Sequence, residues 1–166
     1  MIYIIGIGIE GKSSLSQRAL KLIENASILI GGKRHLNCFP EFKGEKVFIG
    51  SNLNDVIKCI KDSSQFTLHS SQDIVVLATG DPNFFGIADF LIKRFGKDAA
   101  AIIPNVSTMQ ETFARIKENW NDARFFSLHG RRQGQGGYPS ERMGGGKGQK
   151  TVHSSQLTTH GIFGIP

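Results

Sequence analysis

Apolar residues fall in short blocks along this chain, and the blocks alternate between a strand-like and a helix-like period. Residues 2–7 form a nearly unbroken apolar run, which predicts a short strand buried on both faces. Leu15, Ala19, Leu22 and Ile23 then recur at three- and four-residue spacing, predicting an amphipathic helix over about 13–25 with Ser13 or Ser14 as its cap. Residues 27–30 predict a second strand, stopped by Gly31 and Gly32, and Leu53, Val56, Ile57 and Ile60 mark a second helix. A strand over 74–79 runs into Gly80, Asp81 and Pro82, and a helix is expected over 84–94. Residues 100–103 predict a strand closed by Pro104, followed by a helix over 107–118 with Met109, Thr112, Phe113 and Ile116 inward. Residues 124–128 read as the strand of a new unit. This alternation predicts an α/β fold, a mostly parallel sheet flanked by helices.

Composition narrows the classes. A chain of 166 residues has room for one domain and hardly two, and 39% hydrophobic with 20% charged residues is a globular composition. No run approaches the ~20 apolar residues of a membrane span. The first residues lack the basic stretch of a signal peptide, so a cytoplasmic protein is expected, with no membrane partner. Cys38 and Cys59 have no metal-ligand spacing and are expected as reduced thiols, with no metal site. Of the net charge of +6, four units come from residues 131–166, where Arg131, Arg132, Arg142, Lys147 and Lys150 face Glu141 alone. That concentration in a tail, rather than on a patterned face with aromatics, argues against nucleic acid as a partner. The same stretch holds nine of the 20 glycines and shows no useful period, so residues 132–166 are expected to be disordered or poorly packed.

Three strand-end turns carry the candidate chemistry. Gly6-Ile-Gly-Ile-Glu-Gly11 has the G-x-G-x-x-G spacing of a dinucleotide site. The acidic residue expected about 20 positions on is missing, and the second strand ends at Gly31-Gly32-Lys33-Arg34. Arg34 would suit a 2′-phosphate, so an NADP-dependent oxidoreductase stays open, as does a purely structural turn. Thr79-Gly-Asp-Pro82 and Pro104-Asn-Val-Ser-Thr108 are the other two turns. Asp81 is read as a cap of the next helix or a ligand carboxylate, and Asn105 as a residue able to adopt positive φ. The three turns follow strands expected to be neighbours, so they would line one crevice. No Ser-His-Asp order, HExxH or carboxylate pair supplies a catalytic residue, which favours a cofactor that carries its own reactive group.

Five ordered segments give these turns a family. Ile4-Ile-Gly-Ile-Gly8, Ile30-Gly-Gly-Lys-Arg-His-Leu36, Leu77-Ala-Thr-Gly-Asp-Pro-Asn-Phe-Phe-Gly86, Ile103-Pro-Asn-Val-Ser-Thr108 and Phe126-Ser-Leu-His-Gly-Arg131 resemble the tetrapyrrole (corrin/porphyrin) methylase superfamily. Within it they are most similar to the precorrin-6Y methyltransferases of cobalamin biosynthesis. The resemblance implies S-adenosylmethionine-dependent methylation of a corrin precursor, precorrin-6Y or a cobalt-precorrin, at ring carbon 5. It also implies a partner domain or subunit performing a second, decarboxylating methylation, and a homodimer or larger assembly. Carried over by position, Ile9, Gly80, Asp81, Phe84, Ser107 and Thr108 would contact the cofactor, and Gly6 and Gly8 would shape the cleft floor. From charge and motif position, Lys33, Arg34, His35 and Arg131 are expected to pair with substrate carboxylates, and His129 is a candidate substrate-binding residue or general base.

The chain also departs from the family pattern. Ile9-Glu10 stands where Pro-Gly is usual after the first Gly-x-Gly, and Asn105 and Thr108 stand where Gly and a second Ser are usual. The expected organisation is a methylase α/β domain over 1–120, the start of a second α/β domain over 121–131, and a Gly-rich tail over 132–166. With that second domain incomplete, weak cofactor binding and poor turnover are expected of this chain. A catalytically impaired cofactor-binding module of the same family is the alternative.

Overall fold

The computed structural model describes residues 1–50, 52–65, 73–126 and 151–153. It divides into two units, Met1–Thr108 and Met109–Pro166.

In the first unit the elements run β1 (Ile2–Ile7), a 3-10 turn (Gly11–Ser14), α1 (Gln17–Asn25), β2 (Ile28–Gly31), α2 (Lys33–Leu36), β3 (Glu45–Phe48), α3 (Leu53–Gln65), β4 (Ile74–Thr79), α4 (Ala88–Phe95) and β5 (Ala100–Ile103). The strands pair in the order β3-β2-β4-β1-β5, all parallel. Because successive strand residues face opposite ways, the apolar runs divide between two layers. Ile2, Ile4, Ile28, Ile30, Ile74 and Val76 meet Val56, Ile57 and Ile60 of α3 and Ala88 and Leu91 of α4 on one face. Ile5, Ile7, Leu29, Val75 and Leu77 meet Ala19 and Ile23 of α1 and Leu36 of α2 on the other. Each such valine, leucine or isoleucine contributes roughly 1.5–3 kcal/mol by leaving water. Burial on both faces is why these strands read as continuous apolar runs instead of alternating ones.

This division places a crevice. β1 and β4 are neighbours, yet the chain leaves β1 for α1 on one face and leaves β4 for α4 on the other. The two connections diverge, and open α/β sheets bind ligands outside the carboxyl ends of such a strand pair.

Several local features differ from the sequence expectations. The helix predicted from residue 13 begins at Gln17, and Ser16 caps it by accepting from the Ala19 amide. Ser13 and Ser14 instead lie in the 3-10 turn, their hydroxyls donating to the Glu10 and Gly11 carbonyls. The helix predicted from 84 begins at Ala88, because residues 81–87 are taken up by turns in which the Phe84 amide reaches the Asp81 carbonyl and the Ala88 amide the Pro82 carbonyl. β3 and the single-turn α2 had no counterpart in the predicted elements.

α5 (Thr108–Ile116) starts on the last residue of the first unit, and in the second unit it is followed by β6 (Arg124–Phe126) and β7 (Thr151–His153), which pair in parallel. Phe113 meets Trp120 and Phe125 edge-on, with ring centroids 6.2 Å apart in each pair. Thr151–His153 lies in the stretch whose sequence shows no useful period. Three residues are too few to show a period, and backbone pairing to β6 defines this strand.

Candidate functional site

The carboxyl ends of β4, β1 and β5 are joined by backbone contacts that admit no side chain. The Gly80 amide donates to the Ile7 carbonyl at 2.7 Å, and the Gly80 carbonyl accepts from the Asn105 amide at 3.2 Å. A Cβ on Gly6 would lie 1.7 Å from the Gly80 oxygen. Gly80 itself has φ +61, and a Cβ there would lie 2.7 Å from Ser107 Cα. Glycine at both positions is what lets the three turns touch.

Around this centre each turn presents a different group. The Asp81 Oδ1 accepts from the Asn83 amide at 2.9 Å, so the carboxylate closes its own turn and does not cap α4. Phe84 is half-buried beside Phe85, ring centroids 4.8 Å apart, and Phe85 holds φ 54. Positive φ is uncommon for a bulky residue. Ser107 is buried and precedes Thr108, the first residue of α5. Ile9, Phe85 and Val106, one from each turn, are exposed by 44%, 50% and 48%, giving the crevice an apolar rim.

Asn105 does not adopt positive φ; Phe85 and Lys117 alone do so among the described non-glycine residues. Its side chain instead spans two turns. Nδ2 donates to the Gly6 carbonyl at 3.2 Å and to the Ser14 carbonyl and hydroxyl at 3.0 and 3.2 Å, while Oδ1 accepts from the Val106 amide at 2.8 Å. The Ser14 hydroxyl in turn accepts from the Gly8 amide at 2.9 Å. Asn105, Ser14 and Thr79 had no such role in the sequence reading. No spacing rule links residues 91 positions apart, so only the fold brings Asn105 to Ser14.

The basic residues of α2 stand at the same edge. Lys33 and Arg34 are exposed, and His35 is half-buried with its Nε2 sharing a 3.1 Å hydrogen bond with the Thr79 hydroxyl at the end of β4. Burial, and secondarily the Arg34 charge, lowers the His35 pKa below its ordinary 6.5. His35 is therefore neutral at pH 7 and adds no charge to the pair beside it. His129 and Arg131 lie outside the described residues. A concavity of about 600 Å³ opens at the opposite, amino edge, beside Ser27, Glu45, Asp55 and Lys58, and includes none of the predicted site residues.

Strand order overturns the dinucleotide reading. In a dinucleotide fold the first two strands are adjacent, so the end of the second reaches the ribose. Here β4 lies between β1 and β2, which sets Arg34 two strand spacings, roughly 10 Å, from the Gly6–Gly11 turn. That turn leads into a 3-10 segment rather than a helix N-terminus, and its first glycine is filled by Gly80.

Residues 1–147 match the family model of the Tetrapyrrole (Corrin/Porphyrin) Methylases. The cobalt-precorrin-7 C(5)-methyltransferase of Salmonella typhimurium is 37% identical over 131 residues, 79% of this chain and 62% of that protein. The crystal structure of the precorrin-6Y methylase from Archaeoglobus fulgidus superposes with a TM-score of 0.62 at 24% identity, covering 78% of this chain and 65% of that one. A uroporphyrin-III C-methyltransferase of Thermus thermophilus, complexed with S-adenosylhomocysteine, superposes with a TM-score of 0.52 at 20% identity over 76% of this chain and 54% of that one. The chain thus spans under two thirds of the length of the relatives it matches. The glycine-locked turns of β1, β4 and β5 and the family match cover the same stretch of sequence, and by that match this chain belongs to the tetrapyrrole (corrin/porphyrin) methylases.

Proposed function

We propose that this chain is the cofactor-binding part of an S-adenosylmethionine-dependent methyltransferase that methylates a corrin precursor, a cobalt-precorrin or precorrin-6Y, at ring carbon 5. The observation that carries it is the joining of the β4, β1 and β5 turns through Gly6, Gly80 and Asn105 at a sheet switch point, in a chain 37% identical to a C(5)-methyltransferase. The residues fit the cofactor. Asp81 would offer a carboxylate for the ribose or amino-acid portion, and Gly80, lacking a side chain, would let the ligand approach the turn closely. Ile9, Phe84 and the apolar rim suit the adenine face, and Ser107 and Thr108 add hydroxyls.

When bound, the adenosylmethionine supplies an electrophilic sulfonium methyl to a nucleophilic ring carbon. The chain's own residues hold the reactants in line and keep water from the sulfonium side, which is where much of the rate would come from. Lys33 and Arg34, with Arg131, would take substrate carboxylates as charge-assisted hydrogen bonds. His35 and His129 would add hydrogen-bonding groups beside them. The enzyme would work in the cytoplasm on a soluble tetrapyrrole, as a homodimer or beside a decarboxylating partner subunit.

Calorimetric titration of the purified chain with S-adenosylhomocysteine, with NADPH as control, tests this. Binding of the first alone is expected, weakened at least tenfold in Asp81→Ala. NADPH binding alone would overturn the reading. Binding of neither would favour a family member whose cofactor site is impaired in this chain.

A further inference from the structure

We propose that Asn105 is a positioning residue: its carboxamide clamps the β1 turn to the β5 turn and thereby presets the opening of the cofactor crevice. This rests on the methyltransferase reading for its ligand but on the hydrogen bonds alone for the clamp.

The donor and acceptor accounting is tight. The carboxamide orientation is fixed, because turning it over would set Nδ2 against the Val106 amide and Oδ1 against three oxygens. The Nδ2 group holds the last part of β1 through the Gly6 carbonyl and the 3-10 turn through Ser14. The Ser14 hydroxyl has no capacity to spare, since it donates to the Gly11 carbonyl at 2.7 Å while accepting from the Gly8 amide and from Nδ2. The strand ends are joined by the Gly80 carbonyl whatever side chain residue 105 bears, because that bond uses the Asn105 backbone amide. The side chain therefore acts on the segment that strand pairing does not hold, residues 8–14, which carries Ile9. This chain thus carries at position 105 a group that fixes that segment before any ligand arrives. A loop ordered in advance loses less freedom on binding, and the gain appears as affinity.

Asn105→Asp reverses the effect by setting a carboxylate oxygen against the Gly6 and Ser14 carbonyls. It keeps the shape and the acceptor for the Val106 amide but cannot donate to Gly6 or Ser14. Asn105→Gly removes the side chain, and Ser14→Ala removes the hydroxyl it meets. Two readouts are taken on the full chain: S-adenosylhomocysteine affinity by calorimetry, and exchange of the Gly8 amide by NMR, with the Val75 to Leu77 amides of β4 as reference.

The clamp predicts affinity at least fivefold lower in Asn105→Asp and Asn105→Gly. It also predicts Gly8 exchange at least tenfold faster with β4 exchange unchanged, and a double Asn105→Gly, Ser14→Ala variant whose loss is smaller than the sum of the two single losses, because both remove the bond from Nδ2 to the Ser14 hydroxyl. A residue that only stabilises the fold would speed β4 exchange along with Gly8 and leave affinity untouched, which overturns the proposal. So would variants that bind within twofold of the parent. Should the parent chain bind no S-adenosylhomocysteine, the reading of this chain as a working cofactor-binding part fails separately. Gly8 exchange then decides the clamp: a selective rise upholds it and an unchanged rate overturns it.

Discussion

A single methyl group at Gly6 would occupy the space held by the Gly80 oxygen, 1.7 Å from where it would sit. Backbone, unlike a side-chain tip, cannot swing aside, so Gly6→Ala must part β1 from β4 or distort the Gly80 turn. Forced overpacking of a well-filled site costs 1–3 kcal/mol or more, and here the obstacle is a carbonyl in the central strand pair. Gly6→Ala is expected to lower stability by roughly 3 kcal/mol or more in urea denaturation. Gly32 supplies the contrast. Its φ is −65, and a Cβ would meet only His35 Nδ1 at 4.0 Å, so Gly32→Ala should stay within about 1 kcal/mol of the parent. Equal losses in the two variants would show that glycine content, and not the Gly6–Gly80 approach, sets the stability. Two glycines of one motif thus have different reasons. Gly6 is required by close approach, and Gly11 by its φ of +63.

Among the elements, α2 and β4 are coupled through His35 and Thr79. Burial holds the His35 pKa below 6.5 in the folded chain, while the unfolded chain takes up a proton near that value. Below about pH 6.5 the unfolded state therefore binds more protons than the native one, and stability falls as pH falls toward the lowered native pKa. His35→Gln keeps a partner for the Thr79 hydroxyl and removes the titration. Thermal unfolding between pH 7.5 and 5.5 is expected to fall less steeply in His35→Gln than in the parent; parallel pH profiles would refute the assignment. That α2 exists at all was hard to read from sequence. Lys33–Leu36 is one turn, too short to display a period, and its Leu36 is its only buried residue. β3 was missed for a related reason. Glu45–Phe48 sits at the sheet edge with one neighbour, so its side chains are mostly exposed, and its apolar residues, Val47 and Phe48 with Ile49 after them, make too short a run to stand out. The central strands were legible because burial on both faces leaves an apolar block that no surface segment mimics. The turns were legible as places, through Gly80, Asp81 and Pro82, but not as networks, since the Asn105–Ser14 bonds depend on tertiary placement.

At the scale of the whole molecule, two groups of cations within the net charge of +6 have different consequences. Lys33 and Arg34 project from α2 at the carboxyl edge of the sheet, next to the Thr79–Gly80 turn that His35 contacts. Arg142, Lys147 and Lys150 belong to the glycine-rich stretch and could attract any polyanion without orienting it. A tetrapyrrole bearing several carboxylates separates the two, because oriented pairing at the edge depends on particular cations whereas diffuse attraction depends on their number. With uroporphyrin as the polycarboxylate probe, a fluorescence titration at low salt is expected to show at least tenfold weaker binding in Lys33→Glu, Arg34→Glu. The triple variant Arg142→Gln, Lys147→Gln, Lys150→Gln should bind within about threefold of the parent. Raising salt from about 50 to 500 mM shortens the screening length several-fold and should narrow the gap between parent and charge-reversed chain. If the triple variant lost the binding and the edge variant kept it, attraction would lie in the glycine-rich stretch. The α2 cations would then be ordinary solvated charges, and the substrate would have to be held by residues other than Lys33 and Arg34.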